Sequence, residues 1–315
     1  MIGSEKRVLV TGGTGFLGSH VVEALRDAGC KNIIIPRRAE YDLVQPEAVE
    51  RLFQNTQPEI VIHLAGLVGG ILANKLRPAE FFWQNLMMGS YMLHHAWKNG
   101  VQKFVAAGAG CGYPEHAPIP LQEEAFWDGF PQRVSAPYSL AKKLLHVQSM
   151  AYRDQYGFKS IIVLPGNLYG PYDNYHLEDA HVVPALVRKF VCAADDGLDA
   201  VTAWGTGRPT RDFVYARDVA DGILLALERY DDSAILNLSS GVETSIKQLT
   251  ERIAALSGFH GRIIWDTSHP DGQLRRWFDI SRAQREIGFA PKFSLDQGLK
   301  LTIDWYRANR ERARQ

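Results

Sequence analysis

Tyr138 and Lys142 stand four residues apart in the segment Tyr-Ser-Leu-Ala-Lys, at the start of a stretch whose apolar spacing predicts a helix over 139–157. Side chains at this spacing lie on one face of a helix. A lysine ammonium beside a phenol favours the phenolate and lowers the tyrosine pKa toward values useful for proton transfer. Such pairs are common in helices, so this one gains meaning only from the motifs around it.

A glycine-rich turn lies near the start of the chain, in the segment TGGTGFLGSH at 11–20. It places Gly12, Gly15 and Gly18 between an apolar strand and a helical pattern. Glycines allow a tight turn, close approach of the backbone to a pyrophosphate and close packing of helix on strand, and the helix N-terminus favours negative charge. A plain glycine turn is the alternative, but the strand before it and the helix after it favour dinucleotide binding.

The end of the second strand indicates which dinucleotide is bound. An acidic side chain at this point favours NAD by contacting the ribose, whereas arginine accommodates the 2′-phosphate of NADP. Here the strand runs into Arg37 and Arg38, with Glu40 and Asp42 further on. The arginines favour NADP. NAD is the alternative if Glu40 or Asp42 takes the ribose hydroxyl and the arginines are merely solvated.

The segment AAGAGCGYPEH at 106–116 follows a short apolar run and is almost all backbone before Cys111 and Tyr113. Glycine and alanine leave a surface on which a flat group could lie, with a thiol and a phenol beside it. A tightly packed turn, with Cys111 as a small buried residue, is the alternative.

The bulk composition excludes several classes of protein. The 315 residues carry 35 Lys plus Arg and 35 Asp plus Glu, so nothing suggests nucleic acid or an anionic membrane as the main partner. Three scattered cysteines fit a reducing compartment, and no apolar run approaches the roughly 20 residues of a membrane span. The first residues lack a signal-peptide pattern, so a cytoplasmic location is expected. We predict no metal site, because zinc-ligand spacing is absent around His94, His95, His116 and His176.

Short apolar runs alternate with helical patterns through the first half of the chain. Runs that are apolar on both faces are typical of a parallel sheet covered by helices. They lie at 7–12, 32–36, 59–65, 103–108 and 160–165. The helical patterns lie at 16–29, 46–54, 79–100 and 139–157. The alternation predicts an α/β fold with a Rossmann-type, doubly wound parallel sheet.

The rhythm changes after Pro165, where the chain becomes rich in Gly, Pro, Asp, Asn and His. Further helical and strand-like patterns follow, at 181–194, 212–229, 234–239, 245–258, 262–266 and 295–310. We expect a binding cleft between two domains. The first is an NADP(H)-binding domain at 1–165, to which the chain returns at about 212–240. The second is a smaller, discontinuous substrate domain at 166–211 and 241–315.

These segments together resemble the extended short-chain dehydrogenase/reductase family, and within it the GDP-L-fucose synthase branch. The resemblance runs almost from end to end of the chain. It is most specific in the blocks VGGI-x-AN at 68–74 and NLYGP-x-DN at 167–174. Further family-like blocks are CGYP, AHVVPALVRKF, WGTGRPTRDF and HPDGQLRRWFDIS, at 111–114, 180–190, 204–213 and 269–281.

The resemblance implies a particular reaction on a GDP-linked 4-keto-6-deoxy sugar. The carbon-4 ketone acidifies carbons 3 and 5, both centres are inverted, and NADPH delivers hydride to carbon 4 while Tyr138 donates the proton. Cys111 and His181 match the family's acid/base pair for the inversions, and Lys142 matches its partner of the tyrosine. Thiol and imidazole can exchange protons near neutrality. The alternative for His181 is a residue that caps or packs a helix start.

The resemblance also implies the residues that bind the two ligands. Arg211 matches the diphosphate-binding arginine, as suits a planar guanidinium. The implied cofactor-binding set is Gly12, Thr14, Gly15, Phe16, Leu17, Gly18, Arg37, Arg38, Asp42, Leu43, Leu64, Ala65, Gly66, Lys142, Pro165, Asn167, Leu168 and His181. The implied substrate-binding set is Ala109, Gly110, Asn167, Val182, Arg188, Trp204, Arg211, Asp271 and Arg275. A homodimer formed through the helices at about 79–98 and 139–157 is expected by resemblance.

One departure from the family pattern puts the full reaction in question. The family has a serine that bonds the carbon-4 oxygen where this chain has Ala109, and a second serine where it has Gly110. Loss of one oxyanion donor costs about 10²- to 10³-fold in rate. Ser139, a backbone amide or a water could replace the donor. Alternatively the protein is an epimerase only, or it acts on a different GDP-4-keto sugar such as a heptose. A catalytically weak nucleotide sensor or scaffold is a further alternative.

Overall fold

Six parallel strands form the main sheet, in the order β2-β1-β3-β4-β5-β9. The molecule is described here from a computed structural model, which covers residues 3–176, 180–268 and 271–313. The six strands are β1 (Arg7–Thr11), β2 (Asn32–Ile34), β3 (Ile60–His63), β4 (Lys103–Ala107), β5 (Ser160–Pro165) and β9 (Leu236–Leu238). Residues 269–270, which begin the family-like block at 269–281, lie outside the described residues. The strand order reverses between β1 and β3, which opens a crevice at their carboxyl ends.

Successive side chains of each strand point to opposite faces of the sheet and so contribute to two separate apolar cores. Val8 and Val10 of β1 point into one core, and Leu9 between them points into the other. The first core is covered by α1 (Phe16–Asp27), α7 (Ala216–Arg229) and α9 (Ser281–Ile287). The second is covered by α2 (Pro46–Thr56), α4 (Pro78–Lys98) and α5 (Ala136–Tyr156). Because both faces of the sheet are buried, the strands are apolar throughout, and the predicted Rossmann-type fold is confirmed.

Local signals explain where the helices on the second face begin and end. Proline occupies the first turn of α2, α4 and α5, where its missing N–H has no intrahelical partner to lose. Helix α5 ends at Gly157, whose φ of 65° lies in the left-handed region that glycine tolerates. A short helix that the spacing did not predict, α3 (Ile71–Leu76), precedes α4.

A smaller layer is built from the rest of the chain. Four short strands pair into a second sheet: β6 (Asn167–Tyr169), β8 (Thr210–Tyr215), β10 (Glu243–Ser245) and β12 (Arg275–Arg276). Two others form a parallel pair: β7 (Ala200–Trp204) and β11 (Arg262–Asp266). Their core is shared with three helices: α6 (Val182–Asp195), α8 (Ile246–Leu256) and α10 (Leu295–Asn309). Strand β8 therefore belongs to the second sheet, whereas α7 packs on α1 and β9 joins the main sheet.

The buried carboxylate of Asp212 on β8 ties these layers together. It accepts hydrogen bonds from the backbone N–H of Ser240 at 2.9 Å, Gly241 at 3.1 Å and Phe278 at 3.3 Å. The Ser240 hydroxyl donates a fourth bond at 2.5 Å. Burial raises the pKa of Asp212 and these donors lower it. One side chain therefore fixes the turn after β9 and the segment after β12.

Among residues 3–176, 180–268 and 271–313, no helix combines the length and apolar character that crossing a membrane requires.

We expect Asp212→Asn to destabilise the protein by about 2–4 kcal/mol, because an amide leaves buried N–H donors without acceptors. Chemical denaturation followed by fluorescence measures the loss. Asp304→Asn is the matched control, because Asp304 is an exposed carboxylate in a surface ion pair with Lys300 at 3.1 Å; it should change stability by less than about 0.5 kcal/mol. Equal stability of the two variants would contradict the role assigned to Asp212.

Candidate active site

The glycine-rich turn joins β1 to α1 in the crevice of the main sheet. Gly12 has a φ of 70°, and a Cβ there would lie 2.8 Å from the backbone nitrogen of Ala65. A Cβ on Gly18 would lie 2.0 Å from the Gly12 oxygen. Gly15 is the N-cap of α1 and supplies no side-chain cap to the first N–H groups. The glycines therefore allow a tight turn, and the helix N-terminus that follows, next to Thr14, Phe16 and Leu17, lacks a side-chain cap, as suits an anion-binding helix start.

The end of β3 forms the opposite wall of the crevice. The Ala65 N–H donates to the Thr11 hydroxyl oxygen at 3.3 Å, and this hydroxyl lies 2.7 Å from Nδ1 of His63. Burial and the Lys142 charge lower the pKa of His63 to about 3, so its ring is neutral. The sequence analysis missed Thr11 and His63. They hold Leu64, Ala65 and Gly66 in place without reaching solvent themselves.

The predicted ribose end of the site is polar. Arg37 and Arg38 are exposed beyond β2, and Nη2 of Arg38 lies 3.8 Å from Oδ2 of Asp42. A cleft of about 340 Å³ lies here, and α2 adds Arg51 to its lining. Leu43, in contrast, is buried in the core of the second face. Arg51 is a further cation that the sequence motif did not indicate.

Tyr138 and Lys142 lie in the first two turns of α5, close to the carboxyl end of β4. The Lys142 ammonium donates to the Ala107 carbonyl oxygen at 3.2 Å. The expectation that Lys142 lowers the pKa of Tyr138 is wrong for this structure: burial raises that pKa well above its ordinary value, and the neighbouring Cys111 adds to the rise. Burial lowers the pKa of Lys142 to about 8. The phenol is thus held in its protonated form, which suits a proton donor.

Cys111 sits in a short 3-10 helix, Gly110–Gly112, just after β4. Its sulfur accepts a hydrogen bond from the Ser139 hydroxyl at 3.1 Å. Burial raises the pKa of the thiol, while the Ser139 bond and the charges of Arg276 and Lys142 lower it. Cys111, Tyr138 and Lys142 therefore meet in one cluster, and their catalytic roles stay predictions.

Arg276 is a site residue that the sequence analysis missed. Its Nη2 donates to the Gly110 carbonyl oxygen, and its Nη1 donates to Oε1 of Gln273 at 2.6 Å. The parallel register of β8 and β12 places it opposite Arg211, which donates to the Thr210 and Gln273 carbonyl oxygens at 2.7 Å each. Burial lowers the pKa of both guanidiniums, and the charge of Arg276 lowers the pKa of Arg211 further. None of these hydrogen bonds joins either guanidinium to a carboxylate. Arg211 and Arg276 therefore form a positively charged surface.

Ala109 and Gly110 form what we call the floor of the site. One of the two serine hydroxyls that the floor lacks would not fit there. A Cβ on Gly110 would lie 2.6 Å from Cζ of Phe278, so a serine does not fit there without moving the ring. Ala109 is extended at φ −143° and buried, and its Cβ already occupies the position. Ser139, which sequence reasoning offered as a substitute donor, directs its hydroxyl to Cys111 instead.

His181 is the N-cap of α6, followed by Val182, and both side chains are exposed. Desolvation by the protein around the ring lowers the pKa of His181. The structure describes no hydrogen bond between His181 and Cys111. Further along α6, Arg188 donates to the Tyr175 carbonyl oxygen at 2.9 Å.

Pro165, Asn167 and Leu168 lie where β5 leaves the main sheet and β6 enters the second one. The Asn167 amide donates to the Asp212 carbonyl oxygen at 2.9 Å. This bond places the segment between the cofactor crevice and the smaller layer.

The remaining predicted substrate residues lie on the outer rim. Trp204 is 58% exposed, with the Lys189 ammonium 4.7 Å from its ring centre. Asp271 accepts bonds from the Thr206 N–H and hydroxyl at 2.9 and 2.6 Å. Arg275 forms a two-point ion pair with Glu243, at 2.8 Å for each contact. Their substrate contacts stay predictions.

No group of three or more His, Cys, Asp or Glu side chains within the described ranges is arranged to hold a metal ion.

Comparison with known proteins agrees with this geometry. Residues 8–239 match the model of the NAD dependent epimerase/dehydratase family. The chain is 39% identical to GDP-L-fucose synthase 1 of Arabidopsis thaliana over 96% of its length and 94% of that protein. It is 33% identical to GDP-L-fucose synthase of Escherichia coli, with 99% of each chain covered.

Two solved structures are also similar. A GDP-L-fucose synthetase from Naegleria fowleri bound to NADP superposes with a TM-score of 0.93 at 29% identity, covering 100% of this chain and 96% of that one. A GDP-6-OMe-4-keto-L-xylo-heptose reductase from C. jejuni gives a TM-score of 0.91 at 29% identity, covering 98% and 99%. The chain therefore belongs to the NAD dependent epimerase/dehydratase family of extended short-chain dehydrogenases/reductases, and within it to the GDP-L-fucose synthase group.

Proposed function

We propose that the protein is an NADP-dependent epimerase/reductase that acts on a GDP-linked 4-keto-6-deoxy sugar, inverting carbons 3 and 5 and reducing the carbon-4 ketone. The observation that carries this proposal is the cluster of Cys111, Tyr138 and Lys142 beside a dinucleotide turn. Relatives named GDP-L-fucose synthase cover nearly the whole chain. A structural neighbour is bound to NADP.

The residues present fit a dinucleotide. A Cβ at Gly12 or Gly18 would clash with neighbouring backbone, so these glycines allow the tight turn that a dinucleotide site needs, and the N-terminus of α1 lacks a side-chain cap. Arg37, Arg38 and Arg51 lie at the ribose end, where arginine suits the 2′-phosphate of NADP, although Glu40, Asp42 and Glu47 line the same cleft. When bound, NADPH supplies the hydride for carbon 4 of the sugar.

The chain's own residues supply the proton steps. A ketone at carbon 4 makes the hydrogens on carbons 3 and 5 acidic, so a thiol and an imidazole can remove and return them. We assign these roles to Cys111 and His181. The protonated phenol of Tyr138 donates to the carbon-4 oxygen as hydride arrives. Lys142, one turn further along α5, is a buried group with a pKa of about 8.

The nucleotide part of the substrate is assigned to the smaller layer. Arg211 is proposed to hold the diphosphate, because a half-buried guanidinium whose bonds end on carbonyl oxygens rather than carboxylates is suited to an anion. Val182 and Arg188 of α6 and Trp204 at the end of β7 are proposed to bind the rest of the nucleotide.

A reductase acting on a GDP-4-keto-heptose is the second candidate. It is favoured by the loss of both serine hydroxyls at Ala109 and Gly110, and by the likeness to a heptose reductase structure. Because Phe278 fills the space above Gly110, the sugar could sit differently on this floor than on one that carries two serines.

A homodimer in the cytoplasm is also proposed. Helices α4 and α5 pack against each other, and their outer face exposes four large apolar side chains. These are Trp83, Leu144, Val147 and Tyr156, each 41–55% exposed. A second copy of the chain would cover this face. The three free cysteines agree with a reducing compartment.

The reaction is tested with GDP-4-keto-6-deoxy-mannose in heavy water, with and without NADPH. We expect deuterium at carbons 3 and 5 and oxidation of NADPH. Tyr138→Phe should slow NADPH oxidation by about 10²- to 10⁴-fold yet keep the exchange, whereas Cys111→Ser should lose the exchange. Cys192→Ser, which makes the same atom change away from the site, is the control. Exchange without oxidation would indicate an epimerase only, and neither signal would reject this substrate.

Ala109→Ser should accelerate NADPH oxidation more than isotope exchange, by up to about 10²-fold, because a restored hydroxyl stabilises the carbon-4 oxyanion. Gly110→Ser should instead lower the melting temperature, because its Cβ would lie 2.6 Å from the Phe278 ring. Steady-state kinetics and thermal unfolding measure the two effects. Equal acceleration of both reactions in Ala109→Ser would refute the proposed role of the missing hydroxyl.

Val147→Glu should convert the dimer to a monomer, because it places a charge on the apolar face of α5. Light scattering coupled to size-exclusion chromatography measures the mass. Leu198→Glu is the control, because Leu198 is a 53% exposed apolar residue away from α4 and α5. A monomeric wild-type protein would contradict the proposed dimer.

A further inference from the structure

We infer that Ser139 and Arg276 are positioning residues for the Cys111 thiol, orienting its sulfur and stabilising its ionised form. The inference deepens the proposed function, because it rests on Cys111 as a proton carrier. It starts from the Ser139 hydroxyl, which is fully buried in the first turn of α5. The Ser139 hydroxyl donates to Sγ of Cys111 at 3.1 Å. A buried hydroxyl aimed at a sulfur fixes where the sulfur lone pairs point.

Arg276 contributes charge from the other side of the floor. Its Nη2 donates to the carbonyl oxygen of Gly110, the residue before Cys111, and its Nη1 to the neutral Gln273 amide. Both of these partners are uncharged, so they leave the positive charge uncompensated. In a buried place such a charge acts strongly on a neighbouring ionisable group. Here the neighbour is the thiol, whose ionised form a cation favours.

The groups that face Cys111 come from two elements. Helix α5 contributes Tyr138, Ser139 and Lys142, and β12 contributes Arg276. Burial raises the pKa of Cys111, and the serine bond and the two cations oppose that rise. The pKa of Lys142 is itself lowered to about 8, so its charge fades in alkaline solution. A guanidinium stays protonated over the whole working range, so Arg276 is the permanent cation of the site.

The proton transfer that this arrangement serves is balanced without any other reagent. The Cys111 thiolate takes a proton from a ring carbon beside the ketone, so that a C–H bond breaks and an S–H bond forms. The electron pair left on carbon spreads onto the carbon-4 oxygen. In the reverse direction the thiol returns a proton and becomes the thiolate again. Both directions pass through the ionised sulfur, which Ser139 and Arg276 stabilise.

The test measures the ionisation of Cys111 directly. The full-length protein is alkylated with iodoacetamide over a range of pH, and labelling of the Cys111 peptide is followed by mass spectrometry. We expect Ser139→Ala and Arg276→Met each to move the labelling midpoint by about one pH unit toward alkaline values. Arg276→Lys should stay within a few tenths of a unit of the unmodified protein.

Ser149→Ala is the matched control. Ser149 is also a buried serine of α5, but its hydroxyl lies 2.7 Å from the Ser160 hydroxyl rather than near a thiol. Its labelling midpoint should not move. If the midpoint is also unchanged in Ser139→Ala and Arg276→Met, the inference is overturned, and any loss of activity in them is structural.

Isotope exchange at carbons 3 and 5 separates this inference from the proposed function. Its pH profile should move by the same amount as the labelling midpoint, which a purely structural defect would not produce. If the midpoint moves but Cys111→Ser still exchanges at the normal rate, the thiol environment is as inferred and the proposed role of Cys111 fails. Melting temperatures identify variants that do not fold, and Arg276→Lys then carries the test of charge.

Discussion

The buried Asp212 carboxylate is the contact on which the geometry of the site depends most. It accepts hydrogen bonds from three backbone N–H groups and one hydroxyl, which belong to segments that are far apart in the chain. Through Phe278 it fixes the segment after β12, so it also fixes where Arg276 lies. Through β8 it fixes Arg211, which pairs in register with Arg276. A buried charge that satisfies this many donors holds two layers in one arrangement.

The same arrangement accounts for the electrostatics of the site. Burial alone would keep a thiol protonated, a phenol protonated and an ammonium neutral. The pKa values of Cys111, Tyr138 and Lys142 move in those directions. The two arginines act against burial, because their bonds end on carbonyl oxygens and an amide rather than on carboxylates. The site is therefore positively charged before any anionic ligand arrives.

The floor at Ala109 and Gly110 lacks two serine hydroxyls, and the neighbouring side chains are arranged accordingly. Gly110 has no room for a side chain because Phe278 occupies that space, and the Ser139 hydroxyl is directed at the thiol. Position 109, in contrast, already carries a Cβ, so it is the position at which a hydroxyl is proposed to be restored.

Much of the fold could be predicted from the sequence. Runs that are apolar on both faces indicated the strands of the main sheet, and β5 begins and ends where the pattern predicts. Short strands such as β6, β10 and β12 escaped prediction because two or three residues have no detectable period. Helix α3 escaped for the same reason, since six residues span less than two turns.

By itself the sequence determined the glycine turn, the Tyr138–Lys142 pair and the family resemblance, because each depends on residues close together in the chain. The tertiary structure alone decided the partners of these groups. Arg276 lies 165 positions beyond Cys111 and beside an arginine that forms an exposed ion pair, so nothing local distinguishes the two. Only the parallel register of β8 with β12, held by a buried carboxylate, turns one of them toward the thiol.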